Sequence, residues 1–363
     1  MSSEREALKA EFLARHGLAD ARRFALAGDA STRAYERLHT ASGSTLIFMD
    51  QPPHAETEPC APGFTAGQRA ASGYNALARL AAGRIEAFVA TATHLKSLGL
   101  SAPEVVAFDA PAGLAVLEDL GDALYARLID DGAGEDELYD AAVDALAVMH
   151  AAPPPAELTC GEVSWPLLTF DDLALKTAGD LFVEWLPQLK PELAFGAEAL
   201  AEWEALWAPV RARGEAGADV FCHRDYHAEN LIWLPERSGP ARVGLLDFQD
   251  AVRAHKVWDF SMLLHDARRD VSEGREAASL AHYFALRPDL DREAFMTDYN
   301  ALGTLNVARI LGIFSRLVVR DGKPRYLGFM PRLWSYLDRT LAAPGMEAMK
   351  AWFDVHVPAE ARR

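Results

Sequence analysis

The sequence predicts an α+β protein of two lobes, a small β-rich N-terminal lobe and a larger, mostly helical C-terminal lobe. Three observations carry that expectation. The chain has 363 residues, more than one hydrophobic core of ordinary size accommodates. Its first third alternates short apolar runs with Gly-containing turns. After Gly121 the texture changes to long stretches of helical periodicity. The boundary falls between Leu117 and Asp122, which makes residues 1–118 and 119–363 the two expected lobes.

Taken in order, residues 4–16 have the pattern of a short amphipathic helix. Residues 21–26, 34–39 and 45–49 read as strands. The small-residue loop Gly28-Asp29-Ala30-Ser31 joins the first two, and a turn at Ser42-Gly43 joins the second and third. Pro52-Pro53 ends the third strand. Residues 54–84, rich in Ala, Gly, Pro and Thr, read as an insertion whose second half is partly helical. Residues 85–98 are helical, with Gly99 as the stop. Residues 105–108 and 114–117 form a hairpin around Asp109-Ala110-Pro111-Ala112-Gly113. Helices follow at 135–150, ended by Pro153-Pro154-Pro155, and at 198–213. A β-rich patch at 231–234 and 243–247 interrupts them, and helical patterns fill most of the chain from Trp258 onward.

Composition narrows the function classes. Half of the residues are hydrophobic and a quarter charged, which supports a packed interior rather than long disorder. The formal net charge of -17 repels polyanions and argues against nucleic acid as a partner, because phosphate backbones require clustered Lys and Arg. Cys60, Cys160 and Cys222 are odd in number and widely spaced, so they suggest neither a zinc site nor a disulfide framework. The polar N-terminus is unlike a signal peptide. No apolar run approaches the ~18 residues of a spanning helix. These features point to a cytoplasmic protein without a membrane segment.

Two segments carry chemistry. The first is His223-Arg224-Asp225-Tyr226-His227-Ala228-Glu229-Asn230, set between apolar Val220-Phe221 and Leu231-Ile232-Trp233. The second is Leu245-Leu246-Asp247-Phe248-Gln249-Asp250, an apolar strand running into acidic residues. Phosphoryl transfer requires a base near the acceptor hydroxyl and hard oxygen ligands for Mg²⁺ on the transferred phosphate. The H-x-D-x-x-x-x-N spacing lets Asp225 face an acceptor while Asn230 faces a metal. A strand hairpin can bring Asp247 to the same place. Singly, such residues cap turns and helices. Together, with Asp247 seventeen residues after Asn230, they match what the reaction needs.

These segments resemble the aminoglycoside phosphotransferase and choline kinase superfamily, distant relatives of protein kinases. The resemblance extends over nearly the whole chain, including the junction Leu117-Glu118-Asp119-Leu120-Gly121-Asp122. It implies a bilobal protein-kinase-like fold that uses ATP and Mg²⁺, with Asp225 as catalytic base and Asn230 and Asp247 as metal ligands. It makes Glu118 to Leu120 a hinge whose backbone, at Glu118 and Leu120, meets the adenine. Asp259, in Val257-Trp258-Asp259-Phe260, matches a residue that supports the catalytic loop, and His223 orients backbone beside it. In the loop before the second strand, Gly28, Ala30, Ser31, Thr32 and Arg33 either contact phosphates through N–H, hydroxyl and guanidinium groups or simply decorate a hairpin turn. Gly322-Lys323 is followed by Pro324, so the chain has no P-loop of the G-x-x-x-x-G-K-[ST] kind.

One departure stands out. Kinase-like folds place a Lys on the third strand to pair with the α- and β-phosphates. Here that strand is Thr45-Leu46-Ile47-Phe48-Met49-Asp50, and Lys96 is the only Lys between Lys9 and Lys176. Either another donor, such as Arg33 or Arg37, replaces it, or the protein is a weak or inactive kinase.

Finer patterns, Gly28-Asp29-Ala30-Ser31-x-Arg33-x-Tyr35-x-Arg37 and residues 309–317 before Arg320-Asp321-Gly322-Lys323, resemble the bacterial anomeric kinases of N-acetylmuramate and N-acetylglucosamine, which act in cell-wall sugar recycling. That resemblance implies transfer of the ATP γ-phosphate to the sugar C1 hydroxyl. Glu184 and Trp185 are candidates for holding the sugar, or belong to a buried amphipathic helix. Arg309 and Arg316 either meet the lactyl carboxylate of a muramic acid or are surface charges. Two alternatives remain: a kinase of an aminoglycoside, choline or homoserine, and a kinase-like module without catalysis.

Overall fold

The computed structural model describes residues 3–26, 33–52 and 56–362. The chain forms two compact units, and neither is one continuous stretch. The first comprises Met1–Asp131, Pro155–Leu167 and Asn230–Ala251, the second Gly132–Pro154, Leu168–Glu229 and Val252–Arg363. The expected cut at 118/119 is a sequential one. By packing, residues 119–131, 155–167 and 230–251 group with the β-rich unit.

The first unit is built on a five-stranded antiparallel sheet of β1 (Arg22–Ala25), β2 (Ala34–His39), β3 (Thr45–Asp50), β4 (Val105–Asp109) and β5 (Leu114–Glu118), in the order β1-β2-β3-β5-β4. Alternation sorts the side chains. Leu38, Phe48, Leu114 and Val116 share one face, which helix α1 (Ser3–Arg15) covers with Phe12 and Leu13. Acidic Glu4 and Glu6 in the first turn of α1 and Arg15 in its last suit the helix dipole. Burying each such apolar side chain is worth about 1.5–3 kcal/mol. On the same face Lys9, only 1% exposed, bonds to Glu36 at 2.6 Å and approaches Asp50 at 3.5 Å. Burial opposes its charge, yet the bonds to Glu36 and Glu6 outweigh that and raise its pKa. Met49, Tyr35 and Arg37 have the opposite parity and belong to the other face.

The described part of the insertion contains two short helices, Ala66–Ser72 and Tyr74–Ala78. A Thr65–Gln68 capping box opens the first. Buried Arg69 ties them together through the Ala76 and Leu77 carbonyls. Strands Leu231–Trp233 and Val243–Leu245 form an antiparallel hairpin, with Leu231 opposite Leu245. The hairpin is stitched into the first unit by Trp233 N–H to the Ala123 carbonyl and Leu245 N–H to the Ser101 carbonyl, both 2.8 Å. Leu120, Ile232 and Leu234 pack together there.

The second unit is helical around Arg292–Val319, which packs along Asp172–Leu189. This central helix is long and apolar enough to pass for a membrane span, contrary to the expectation that no such run exists. Two-thirds of its apolar window (67%) is buried inside the protein, where it serves as a core helix. At Gly312 a Cβ would lie 2.3 Å from the Leu181 carbonyl carbon, so only glycine permits this approach. A two-stranded ladder of Ala218–Cys222 and Val252–His255 completes the unit, with Cys222 opposite Val252. Cys60, Cys160 and Cys222 are all free thiols.

Candidate active site

In the second unit, the strand Ala218–Cys222 delivers the chain to His223-Arg224-Asp225. Asp259, on the helix Val257–Leu264, is fully buried and holds this turn from beneath. Its carboxylate accepts the His223 N–H at 2.9 Å, the Arg224 N–H at 2.8 Å and the Cys222 thiol at 3.2 Å. His150 Nε2 lies 3.5 Å away. Burial opposes ionisation of Asp259, but nearby His150 and the surrounding donors outweigh it and hold the carboxyl below its ordinary value. Arg224 adopts a left-handed φ of 79°, a conformation that costs a non-glycine residue energy and often marks a functional loop. Its guanidinium sits 4.8 Å above the Phe170 ring, which meets Trp258 edge-on at 4.8 Å. Tyr226 is buried and donates to the Ala142 carbonyl at 2.8 Å. Asp225, held on this braced loop, is only half-buried, an exposure compatible with contact to a small molecule.

Asn230 and Asp247 belong to the first unit. The Leu246 N–H donates to the Asn230 carbonyl at 3.0 Å, extending the hairpin ladder by one step. The ladder therefore brings Asn230 next to Leu246, with Asp247 directly beyond. Asp247 has φ 59°, again left-handed, and its side chain is 39% exposed. One carboxylate oxygen accepts from Arg33 at 2.6 Å and from Gln249 at 3.0 Å, while Arg33 also donates to the Gln249 amide oxygen at 2.7 Å. Phe248 is buried against Phe88 of the helix Ile85–Ser97, with ring centres 4.8 Å apart. Asp250 accepts the Ala81 N–H at 2.6 Å, so the end of the insertion braces the acidic loop. An amide carbonyl and a carboxylate fit Mg²⁺, which takes one or two protein oxygens and completes its shell with phosphates and water. Among the described residues no group of three or more His, Cys, Asp or Glu is arranged to hold a metal unaided.

At the expected hinge, the Glu118 N–H is already bonded to the Glu104 carbonyl at 2.8 Å, and its carboxylate meets Arg237 at 2.5 Å. Leu120 lies buried in an apolar cluster with Ile232 and Leu234. Gly28, Ala30, Ser31 and Thr32 lie outside the described residues. Arg309 donates to the Asn306 amide oxygen at 2.9 Å and stands 5.7 Å over the Trp258 ring, in the stack that braces the Asp225 loop. Glu184 and Trp185 lie on the helix Asp172–Leu189. Burial and neighbouring Asp180 raise the pKa of Glu184, and Arg316 partly offsets them. Sequence reasoning missed Gln249 and His150. The Gln249 role rests on a bond to a residue 216 positions away. His150 had a signal only as the last polar residue of an apolar helix.

The α+β fold is kinase-like, and the class of protein is shown by the family it matches, that of phosphotransferases. The family profile described as "phosphotransferase enzyme family" (APH) matches residues 24–296, and the chain belongs to that family. An N-acetylmuramate/N-acetylglucosamine kinase of Caulobacter vibrioides is 66% identical over 363 residues, covering 100% of this chain and 99% of that protein. A protein of the same name from Pseudomonas aeruginosa is 30% identical over 322 residues, 86% of this chain and 82% of its own. Among solved structures, Plasmodium vivax ethanolamine kinase superposes with a TM-score of 0.56 at 12% identity, covering 92% of this chain and 85% of that one. The ADP-bound aminoglycoside phosphotransferase APH(2'')-Ib gives 0.51 at 13%, covering 94% and 97%. At these identities the likeness shows the fold alone.

Proposed function

We propose that the protein is an ATP-dependent kinase that phosphorylates the C1 hydroxyl of N-acetylmuramate and N-acetylglucosamine. The observation that carries this reading is the 66% identity, from end to end, with a kinase named for both sugars. The site residues supply a chemistry to match. Asp225 takes the proton of the C1 hydroxyl as its oxygen bonds to the γ-phosphorus. The bond from that phosphorus to the β–γ bridging oxygen breaks, and ADP leaves. An anomeric hydroxyl is more acidic than an ordinary alcohol, so one carboxylate is adequate assistance. Asn230 and Asp247 would hold Mg²⁺, which when bound offsets negative charge on the phosphates. Asn230 follows Asp225 by five positions, so the chain keeps base and ligand within about 18 Å even if fully extended. On this reading, Leu120 and the Glu118 carbonyl face the adenine, and Arg309 and the Glu184–Trp185 pair serve the sugar. ATP as donor and three free thiols favour the cytoplasm, where sugars released by cell-wall turnover would be re-used.

The test is ADP release from purified protein given ATP, Mg²⁺ and a panel of sugars and amines, with ³¹P NMR to identify the product. A sugar 1-phosphate from either acetylated sugar is expected, and turnover confined to aminoglycosides, choline or homoserine would overturn the reading. Asp225→Asn should lower turnover at least ~100-fold, as expected for loss of a general base, with nucleotide binding retained.

A further inference from the structure

Strand β3 has no cation on the face that would meet phosphates. Met49 is buried there opposite Tyr35 and Ala115. Lys9 cannot substitute, because it approaches from α1 on the other face and is bound to Glu36. Two guanidinium groups share the parity of Tyr35 on and just before β2. Arg37 is committed to the hinge segment, bonding Asp122 at 2.8 Å and Asp119 at 3.1 Å. Arg33 instead reaches the carboxylate of Asp247 at 2.6 Å, and its second nitrogen reaches Gln249 at 2.7 Å. Gln249 is itself buried and donates to the same Asp247 oxygen at 3.0 Å. The amide therefore joins the guanidinium and the carboxylate in a closed ring of three hydrogen bonds. A cation thus already occupies an oxygen that a metal would use.

We propose that Arg33 is the phosphate-positioning cation of this enzyme and that Asp247 is its resting place, so that a dication engages Asp247 as Arg33 transfers to the nucleotide phosphates. The proposal rests on the reading of Asp247 as metal ligand and ATP as donor. A guanidinium and a divalent ion on one carboxylate oxygen repel each other, so one displaces the other. The displaced group is a planar, permanently charged fork whose donor geometry suits phosphate oxygens. In the nucleotide-free chain the ion pair keeps the Asp247 charge compensated. The arrangement also accounts for a family member without the third-strand lysine: the cation has moved to the neighbouring strand's entrance.

The test uses the full chain and two separate titrations, Mn²⁺ alone by electron paramagnetic resonance and ADP at saturating Mg²⁺ by calorimetry. Arg33→Met should bind Mn²⁺ more tightly, because its competitor is gone. It should bind ADP about tenfold to a hundredfold more weakly, the range for losing charged hydrogen bonds. Arg33→Lys should recover part of the ADP affinity. Gln249→Leu keeps the charge and loses the anchor, so Mn²⁺ should tighten by less than in Arg33→Met. Opposite signs for the two ligands are the signature, since simple damage to the fold weakens both. Unchanged or weaker Mn²⁺ binding in Arg33→Met, or unchanged ADP binding, would overturn the proposal. Wild-type protein that binds neither ligand would sink the phosphotransferase reading as well.

Discussion

Asp259 gathers three donors from the strand end and loop above it while wholly out of solvent. Truncating it would leave buried N–H groups without acceptors, at about 1–3 kcal/mol each. Asp259→Ala is therefore expected to lower the unfolding free energy by about 2–5 kcal/mol in urea titration. Protons act on the same network. The Asp259 carboxyl lies below its ordinary 3.8 in the folded chain, so the unfolded chain protonates first on acidification. Its contribution is complete above about pH 4 and is lost as pH falls through the folded value. Burial likewise holds His150 below 6.5. That stabilisation is present above 6.5 and is lost as pH drops through the folded value, because the unfolded imidazole takes up its proton first. Unfolding free energy should thus decline from pH 7 to pH 4, and His150→Gln should flatten the upper part of that decline. Asp259 was legible from Val257-Trp258-Asp259-Phe260 because a local pattern marks it. Gln249 was not, because its function depends on Arg33 far away in the chain.

The five sheet strands and the helix at 85–98 were readable to within a residue or so, because alternation and 3.6-residue periodicity are local properties. The hairpin Glu157–Cys160 and Val163–Pro166 was missed. It follows a proline run, and its turn at Gly161 joins strands too short to show a pattern. The ladder of Ala218–Cys222 with Val252–His255 was also hidden, since the Asp225 loop and the acidic hairpin separate its strands. Helix contacts leave still less trace. Gly312 lies against the backbone of the helix Asp172–Leu189, whereas Gly67, inside the helix Ala66–Ser72, has nothing within 4 Å of its Cβ position. Both gain helix propensity on conversion to alanine, by about 0.5–1 kcal/mol. Gly67→Ala should therefore raise the melting temperature slightly. Gly312→Ala should lower it, with overpacking costing about 1–3 kcal/mol or more. Thermal denaturation of the pair separates packing from propensity.

The whole molecule carries -17, a field that acts on every anion approaching it. N-acetylmuramate bears a carboxylate and N-acetylglucosamine is neutral, so the two sugars report that field directly. The Debye length shrinks from about 30 Å at 10 mM salt to about 8 Å at 150 mM. Over that range the KM for N-acetylmuramate should fall relative to that for N-acetylglucosamine. A ratio that rises instead would mean that a local cation such as Arg309 dominates recognition of the acid. At this scale the α+β class and the two-unit division were legible from texture alone, but the weave of the chain through the units was not. The β-rich unit needs its last piece, Asn230–Ala251, before it is complete. On the ribosome, at about 5–20 residues per second, the sheet emerges roughly six to twenty-five seconds before the hairpin that covers Leu120. A gene truncated after Leu120 would yield a polypeptide in which that leucine lacks Ile232 and Leu234, the hairpin partners packed on it, so a fragment of the gene cannot complete this unit.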